Sequence, residues 1–460
     1  MSRPLSTSRP CSTHGPGSTH GPPSTSSRAR STLVPPRTRS GVPGALAPLV
    51  LALAAACSPG DQPASGGEAT AFEGARLIVG NGSDAIENAT FVVQDGRFTA
   101  VGPTGEVDVP AGAARVDLTG RTVMPAIVNA HMHLPSTRAE RTEQLRHNAY
   151  YGAAAVTSLG LDDGEVPMQM SDEVITDAAR SLSAGPGITR PEPGRSEVPY
   201  WIETPEAGRQ AVAEMAAQGV DLVKIWVDDR NGRYEKLTSD LYGPVIDEAH
   251  EHGLRVAAHI FALEDAKGLV RAGIDAFAHG VRDQDVDEEF IAMITAEPDI
   301  YYIPNLPDPG VARELSWLAG TIPEDELREM QDEASDGAEP SETFMIQARN
   351  LVRLNAAGVP IAFGTDGGSP WAAHLELEDM VLSGMTPAEV IVAATRTSAE
   401  LLRLNDLGSI EAGKSAAFVV LDANPLEDIT NTRQIRAVYL AGEEIDRAGF
   451  SARVTGATAQ

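Results

Sequence analysis

The sequence predicts an α/β protein: a (β/α)8 barrel of the TIM type carrying a small β-sandwich domain built from both chain ends. Three observations carry that reading. Short apolar runs recur through the middle of the chain, at residues 124–133, 221–226, 254–259, 274–279 and 359–366. Runs of this length are what strands buried on both faces look like. Helical stretches alternate with them, at 205–218 with Thr204 as N-cap, at 240–252, and at 387–402 with Thr386 as N-cap. Strand–helix alternation on this scale gives a parallel barrel. The two ends have a different texture. Residues 75–80 read as a strand, 89–102 as two strands around a tight Asp95-Gly96 turn, and 114–120 as another. Similar pieces return at 408–413, 416–422 and 435–445. Neither end folds well alone, so the two are expected to pair. The organisation is then a leader over 1–57, a flexible tether over 58–71, a composite sandwich over 72–122 plus 408–450, and a barrel over 123–407.

With 460 residues the chain exceeds one average domain and accommodates a barrel with a small second domain. Residues 1–57 hold six Arg and no acidic residue, leaving 30 basic against 65 acidic residues in the remainder. Such an acidic body excludes nucleic acid and anionic membrane surfaces as partners. The two cysteines, Cys11 and Cys57, both lie in the leader, so the folded part has no disulfide framework.

The leader is rich in Ser, Pro, Thr and Arg and repeats Ser-Thr-His-Gly-Pro, a composition expected to be disordered. Residues 45–56 are apolar but too short to span a bilayer. With Arg37 and Arg39 ahead of them they read as the core of a signal peptide. The stretch ends in Leu53-Ala54-Ala55-Ala56-Cys57, which resembles a bacterial lipoprotein signal. That resemblance implies export, lipidation of Cys57, and an envelope location in which the membrane is met only through the lipid. The competing reading is an ordinary secretory signal with an incidental cysteine.

In a parallel barrel, chemistry sits at the carboxyl ends of the strands. The five central runs end in His131 and His133, Lys224, His259, His279 and Asp366. The i, i+2 spacing of His131 and His133 puts both imidazoles on one strand face. Lys224 lies between Val223 and Ile225, where a lysine is expensive unless it has a partner or a reaction. One reading is a side chain reaching out to solvent. The other is a neutral amine that takes up carbon dioxide as a carbamate, an anionic oxygen ligand. Asp366 stands among glycines that let the backbone approach closely; there it can touch a metal and accept a proton from its water. Tyr200 and Trp201 follow the third strand, and Asp228, Asp229 and Arg230 follow the lysine strand; they are candidates to line the pocket and meet a charged substrate end, or else belong to solvated loops. His374 reads as a neighbour of the ligands or as a helix-face residue. The acidic stretch 308–343 reads as a helical excursion after the seventh strand and a candidate lid.

Taken as a set, His131-x-His133, Lys224, His259, His279 and Asp366 resemble the amidohydrolase superfamily over roughly residues 72–450. The likeness is strongest to the branch of imidazolonepropionase-like proteins and lysine-containing prolidases. The resemblance implies a centre of two divalent metal ions, usually zinc. His131, His133 and Asp366 would hold one ion, His259 and His279 the other, with carboxylated Lys224 bridging them. It further implies hydrolysis of an amide, cyclic amide or dipeptide-like bond in a small substrate by a metal-bridging hydroxide, with Asp366 as proton shuttle. Rival readings are an ester, lactone or phosphoester hydrolase using the same centre, and a non-catalytic metal-binding surface lipoprotein; oligomerisation is left open. The family commonly has Gly and Asp where this chain has Ala126 and Asn129, which predicts an altered surrounding of the ligands rather than lost metal. Imidazolonepropionase itself lacks the strand-four lysine, so Lys224 argues against that particular activity.

Overall fold

The computed structural model describes residues 68–171, 173–334, 337 and 339–455; Cys57, the leader and the tether up to residue 67 lie outside them. Strand Thr70–Leu77 starts just inside the stretch read as tether. It pairs antiparallel with Ile86–Gln94, which pairs with Arg97–Pro103. Asp95 and Gly96 both have positive φ, the demand of a two-residue hairpin turn whose twist matches its strands. The pairing of Thr70–Leu77 with Ile86–Gln94 shifts register around Ala75, and along its other edge Thr70–Leu77 runs parallel to Ala114–Asp117 and then to Thr122–Pro125. Phe418–Leu421 joins antiparallel to Thr122–Pro125, followed by Ile435–Leu440 and Glu443–Glu444. Both chain ends thus complete one eight-stranded sheet. An aromatic core holds it: Phe72 stacks on Phe91 at 4.9 Å, Phe418 meets both edge-on, and Tyr439 stacks on Phe418 at 4.5 Å. Each fully buried ring contributes about 1.5–3 kcal/mol of transfer free energy.

The middle of the chain is a barrel-like α/β layer of parallel strands. Ile127–Met132, Ala153–Ser158 and Arg180–Ser183 form one ladder. Ile188–Thr189, Val223–Val227, Val256–Ile260, Ala276–Ala278 and Tyr301–Ile303 form a second, with Tyr200–Trp201 at its edge. The ladders by themselves do not close a ring; single hydrogen bonds span the gaps. Asp221 N–H donates to the Ser183 carbonyl at 2.9 Å. On the other side the segment 359–366 takes the eighth position with one isolated bridge, Tyr302 to Ile361, in place of a full strand. Pro360 has no N–H to give a ladder, though its carbonyl accepts from Tyr302 N–H at 2.9 Å; Ala130 N–H in turn reaches the Phe363 carbonyl at 2.9 Å.

The helices follow local chemistry. Thr204 Oγ1 caps Pro205–Gln218 at Ala207 N–H, and Gly219 ends it at φ 81°. Thr386 and Glu389 form a reciprocal capping box at Pro387–Val392. The single helix expected over 387–402 is instead interrupted by a π turn at Ala393–Thr397 before Ser398–Leu401. The turn aims Ser398 inward, where its Oγ accepts the Phe363 N–H at 2.8 Å and donates to the Ala393 carbonyl at 2.8 Å. The eighth segment is therefore fixed by a side chain where it lacks a ladder. The 308–343 excursion holds helix Glu324–Glu333, and Tyr151, ahead of the second barrel strand, bonds Thr321 at 2.5 Å. That part of the excursion packs on the outer helical layer, away from the strand ends where a lid would act.

A fully buried ion pair ties the helix after the first barrel strand to the second and third strands. Arg141, in helix Arg138–Tyr150, reaches Asp162 at 3.0 Å and Ser181 Oγ at 3.1 Å, and Asp162 accepts from Ser158 Oγ at 2.8 Å. Removing one partner strands the other charge in the core, at a cost of about 3–5 kcal/mol. Asp162→Ala should lower unfolding free energy in urea by that much, and adding Arg141→Met should recover most of it.

Candidate metal centre

The strand ends converge as the barrel topology requires. The carbonyl of His131, at the end of Ile127–Met132, accepts the N–H groups of Thr365 and Asp366 at 2.8 and 2.9 Å, which brings the aspartate to the histidine strand. Asn129 adds a side-chain tie, taking the His131 N–H at 3.1 Å and donating to Thr365 Oγ1 at 3.0 Å. The surrounding at this departure from the family pattern is thus built by an amide. Asp366 Oδ1 lies 3.1 Å from Nε2 of both His131 and His133, and Oδ2 lies 3.4 Å from His279 Nε2. Ligand atoms of His131, His279 and Asp366 all fall within 4.8 Å of one another. His259 packs against His279 with ring centroids 4.4 Å apart, but its Nε2 faces Asp228 Oδ2 and Arg230 Nη1, each at 3.0 Å. Four non-glycine residues here have positive φ: Arg230 (55°), His279 (149°), Asn305 (43°) and Asp366 (48°). Backbone strain of this kind persists where the surrounding structure over-determines it.

Proton placement is the informative feature. His133 Nδ1 is 3.2 Å from the carbonyl of Gly160, so that nitrogen carries the hydrogen. Its Nε2 then presents a lone pair to the Asp366 carboxylate, two acceptors 3.1 Å apart. His131 repeats the pattern, with Nδ1 2.8 Å from Asn305 Oδ1 and Nε2 buried without a hydrogen bond. Facing acceptors repel unless a cation stands between them. Burial pushes His131 down to about 4, so a second proton on that ring does not meet the need at neutral pH; burial lowers His259, which faces Asp228, to about 3. Burial alone would raise Asp366, but the surrounding imidazoles outweigh it and hold the carboxyl far below its usual range. A neutral-imidazole and carboxylate set of this kind suits a divalent metal ion.

Lys224 is 1% exposed, and its Nζ has no hydrogen-bond partner. Burial brings it down to about 7, against the pull of Asp366 and with help from Arg282 and Arg230. Gly160 and Gly187 leave the room it needs: a Cβ on Gly160 would stand 3.0 Å from Lys224 Cγ and 2.6 Å from the Trp226 ring, and one on Gly187 would stand 2.4 Å from that ring. Gly160 therefore serves twice, as acceptor for His133 and as space for Lys224.

Asp228 and Arg230 do reach the centre, through His259. Burial raises the Asp228 carboxyl, but His259 and Arg230 more than reverse it. Tyr200 does not reach it: its hydroxyl meets Glu214 and Gln218 of helix Pro205–Gln218, on the outer side. Trp201 occupies the opposite face of that two-residue strand. His374 is a buried structural residue, bonded to Thr432 at 3.0 Å and to the Tyr151 carbonyl at 3.1 Å. Sequence reasoning missed Asn305 and Arg282. Asn305 ends the seventh apolar run and obeys the same strand-end rule as the histidines; Arg282 lies three residues past His279.

Residues 122–445 match the amidohydrolase family, and the chain belongs to it. It is a hydrolase acting on carbon–nitrogen bonds, of a family generally dependent on metal, and falls in the imidazolonepropionase-like branch. An uncharacterised protein of Mycobacterium tuberculosis is 29% identical over 62% of this chain and 75% of its own length. The imidazolonepropionase of Agrobacterium fabrum is 26% identical over 79% of this chain and 93% of its own. Among solved structures, a putative prolidase from Bifidobacterium longum superposes with TM-score 0.68 at 28% identity, covering 84% of this chain and 99% of that one. A Xaa-Pro dipeptidase with bound methionine shares the fold at 23% identity and TM-score 0.66, covering 82% of this chain and all of that one.

The lysine carries a stability signature. In metal-free protein the folded state has the amine near 7, while the unfolded chain has it near 10.5. Between those values the unfolded state binds more protons, so stability rises with pH by about 1 kcal/mol per unit. Lys224→Met should stabilise the chelator-treated protein most at and below pH 7, with the gain vanishing near pH 10.5 in denaturant titrations.

Proposed function

We propose that the protein hydrolyses an amide, cyclic amide or dipeptide-like bond of a small substrate. His131, His133 and Asp366 would hold one divalent ion, His259 and His279 a second, and Lys224 as its carbamate would join them, with zinc as the expected metal. The single observation carrying this is the convergence of His131, His133 and His279 on the Asp366 carboxylate, with the buried, neutral His131 ring placing its Nε2 3.1 Å from Oδ1, an arrangement that favours a shared cation. The imidazolonepropionase and the putative prolidase among its relatives support the bond type. Bound ions would supply Lewis acidity and a water of lowered pKa. The chain does the rest. Asp366, kept ionised by its imidazole neighbours and one-third exposed, is placed to accept the proton of that water and pass it to the leaving nitrogen. For Lys224, a pKa near 7 leaves a sizeable neutral fraction at neutral pH, the form that adds carbon dioxide.

Purified protein should contain about two metal ions per chain and a carboxylated Lys224 by mass spectrometry. Asp366→Asn should lower turnover by about 10²–10⁴-fold without emptying the site, as read by elemental analysis. Turnover that survives this substitution removes Asp366 from the proton-transfer role. We also place the protein at the bacterial envelope, on the strength of the Leu53–Cys57 motif. Cys57→Ser should move it from the membrane fraction to the soluble fraction and abolish labelling with a fatty acid.

A further inference from the structure

Two guanidinium groups stand at the strand ends of this centre, and they are not equivalent. Arg230 is neutralised, with Nη1 2.7 Å from Asp228 and Nε 3.1 Å from the buried carboxylate of Glu192. Arg282 has no such partner. Its Nε and Nη2 are buried without a hydrogen bond, and it enters no ion pair among the described residues. The acidic groups that bear on it are Asp366, which stands among three histidines, and Asp228, which is engaged by His259 and Arg230; neither forms an ion pair with it among the described residues.

The position of Arg282 is built rather than incidental. Gly280 N–H donates to the Pro304 carbonyl at 3.2 Å, Val281 N–H to Tyr302 Oη at 3.2 Å, and Arg282 N–H to the Phe261 carbonyl at 2.9 Å. Any side chain at Gly280 would meet Tyr302 Oη at 2.7 Å, so the turn after His279 is held tight. Phe261, whose carbonyl fixes Arg282, is one of the few large apolar side chains left exposed. An unpaired guanidinium three residues beyond a proposed metal ligand is a half-made binding site. Burying donors without acceptors is costly, and the planar fork of arginine matches a carboxylate through two parallel hydrogen bonds.

We infer that Arg282 receives a carboxylate of the substrate, so that the enzyme acts on C–N bonds in molecules with a free acid group, such as N-acyl amino acids and dipeptides, in preference to neutral amides. This rests on the proposed hydrolysis of C–N bonds. It assigns Arg282 to specificity: the guanidinium anchors the acid while the scissile bond is presented to Asp366.

The test compares N-acetyl amino acids and Xaa-Pro dipeptides with their carboxamides, on the metal-loaded protein and on Arg282→Met and Arg282→Lys. The native enzyme should prefer the acids. Arg282→Met should raise KM for the acids about ten- to hundredfold, a loss several times larger than any it causes toward the carboxamides, and Arg282→Lys should recover part of it. Equal KM for acids and carboxamides in the native enzyme, or an equal loss on both in Arg282→Met, overturns the inference. Calorimetric titration with proline and prolinamide separates it from the hydrolysis reading. If the loaded enzyme cleaves none of the compounds but binds proline in an Arg282-dependent way, the carboxylate site stands and the C–N reading falls. If proline and prolinamide bind alike, the carboxylate site falls whatever the turnover.

Discussion

The centre depends on one unfavourable contact, the imidazole lone pairs of His131 and His133 set against the carboxylate of Asp366. Neither side can relieve it internally. The Nδ1 atoms are committed to Gly160 and Asn305, and burial keeps the His131 ring from carrying a second proton near neutrality. The fold holds these acceptors together through the backbone, by the two N–H groups that the 359–366 segment gives to the His131 carbonyl. Free energy from the surrounding packing and hydrogen bonds is thus stored at the strand ends as an attraction for a cation.

The wider architecture serves that storage. Glycines at 160 and 187 leave space for a lysine and a tryptophan beside the histidines, and a π turn delivers Ser398 to the eighth segment where a ladder is missing. The Arg141–Asp162 pair ties the helix that follows the histidine strand to the second and third strands. A barrel with fewer such ties would let Asp366 retreat from the imidazoles and relax the site.

What the sequence made legible follows from periodicity. Parallel strands buried on both faces are continuous apolar runs, so their ends are visible, and the side chains at those ends include His131, His133, His279 and Asp366, which come together, and His259, which packs on His279. Capping chemistry at Thr204 and Thr386 was equally plain, because it is local. Contacts made across the chain were not legible. Arg141 reads as an ordinary charged residue in a polar helix, and Asp162 as a loop acid; only the tertiary packing buries both. The eighth strand reads as a strand, but Pro360 withholds the donor a ladder needs. Tyr200 and Trp201 are neighbours in a strand of two residues, too short for its alternation to say which side chain faces inward. Arg282 has no run or spacing to mark it, since its meaning lies in partners it lacks.

The eight-stranded sheet also bears on how the protein is made. Thr122–Pro125 leads directly into the histidine strand, and its partner Phe418–Leu421 arrives only near the end of the chain; Arg121 and Asp422, which flank that pairing and form an ion pair, are 301 residues apart. Until the last strands emerge, the first five wait with an open edge and a half-covered aromatic core. Topologies with such distant pairings fold slowly, because loop closure precedes its reward. An exposed edge in the interval invites pairing with another chain. Holding an unfinished edge out of reach of other nascent chains is therefore a demand this architecture places on whatever assists its synthesis.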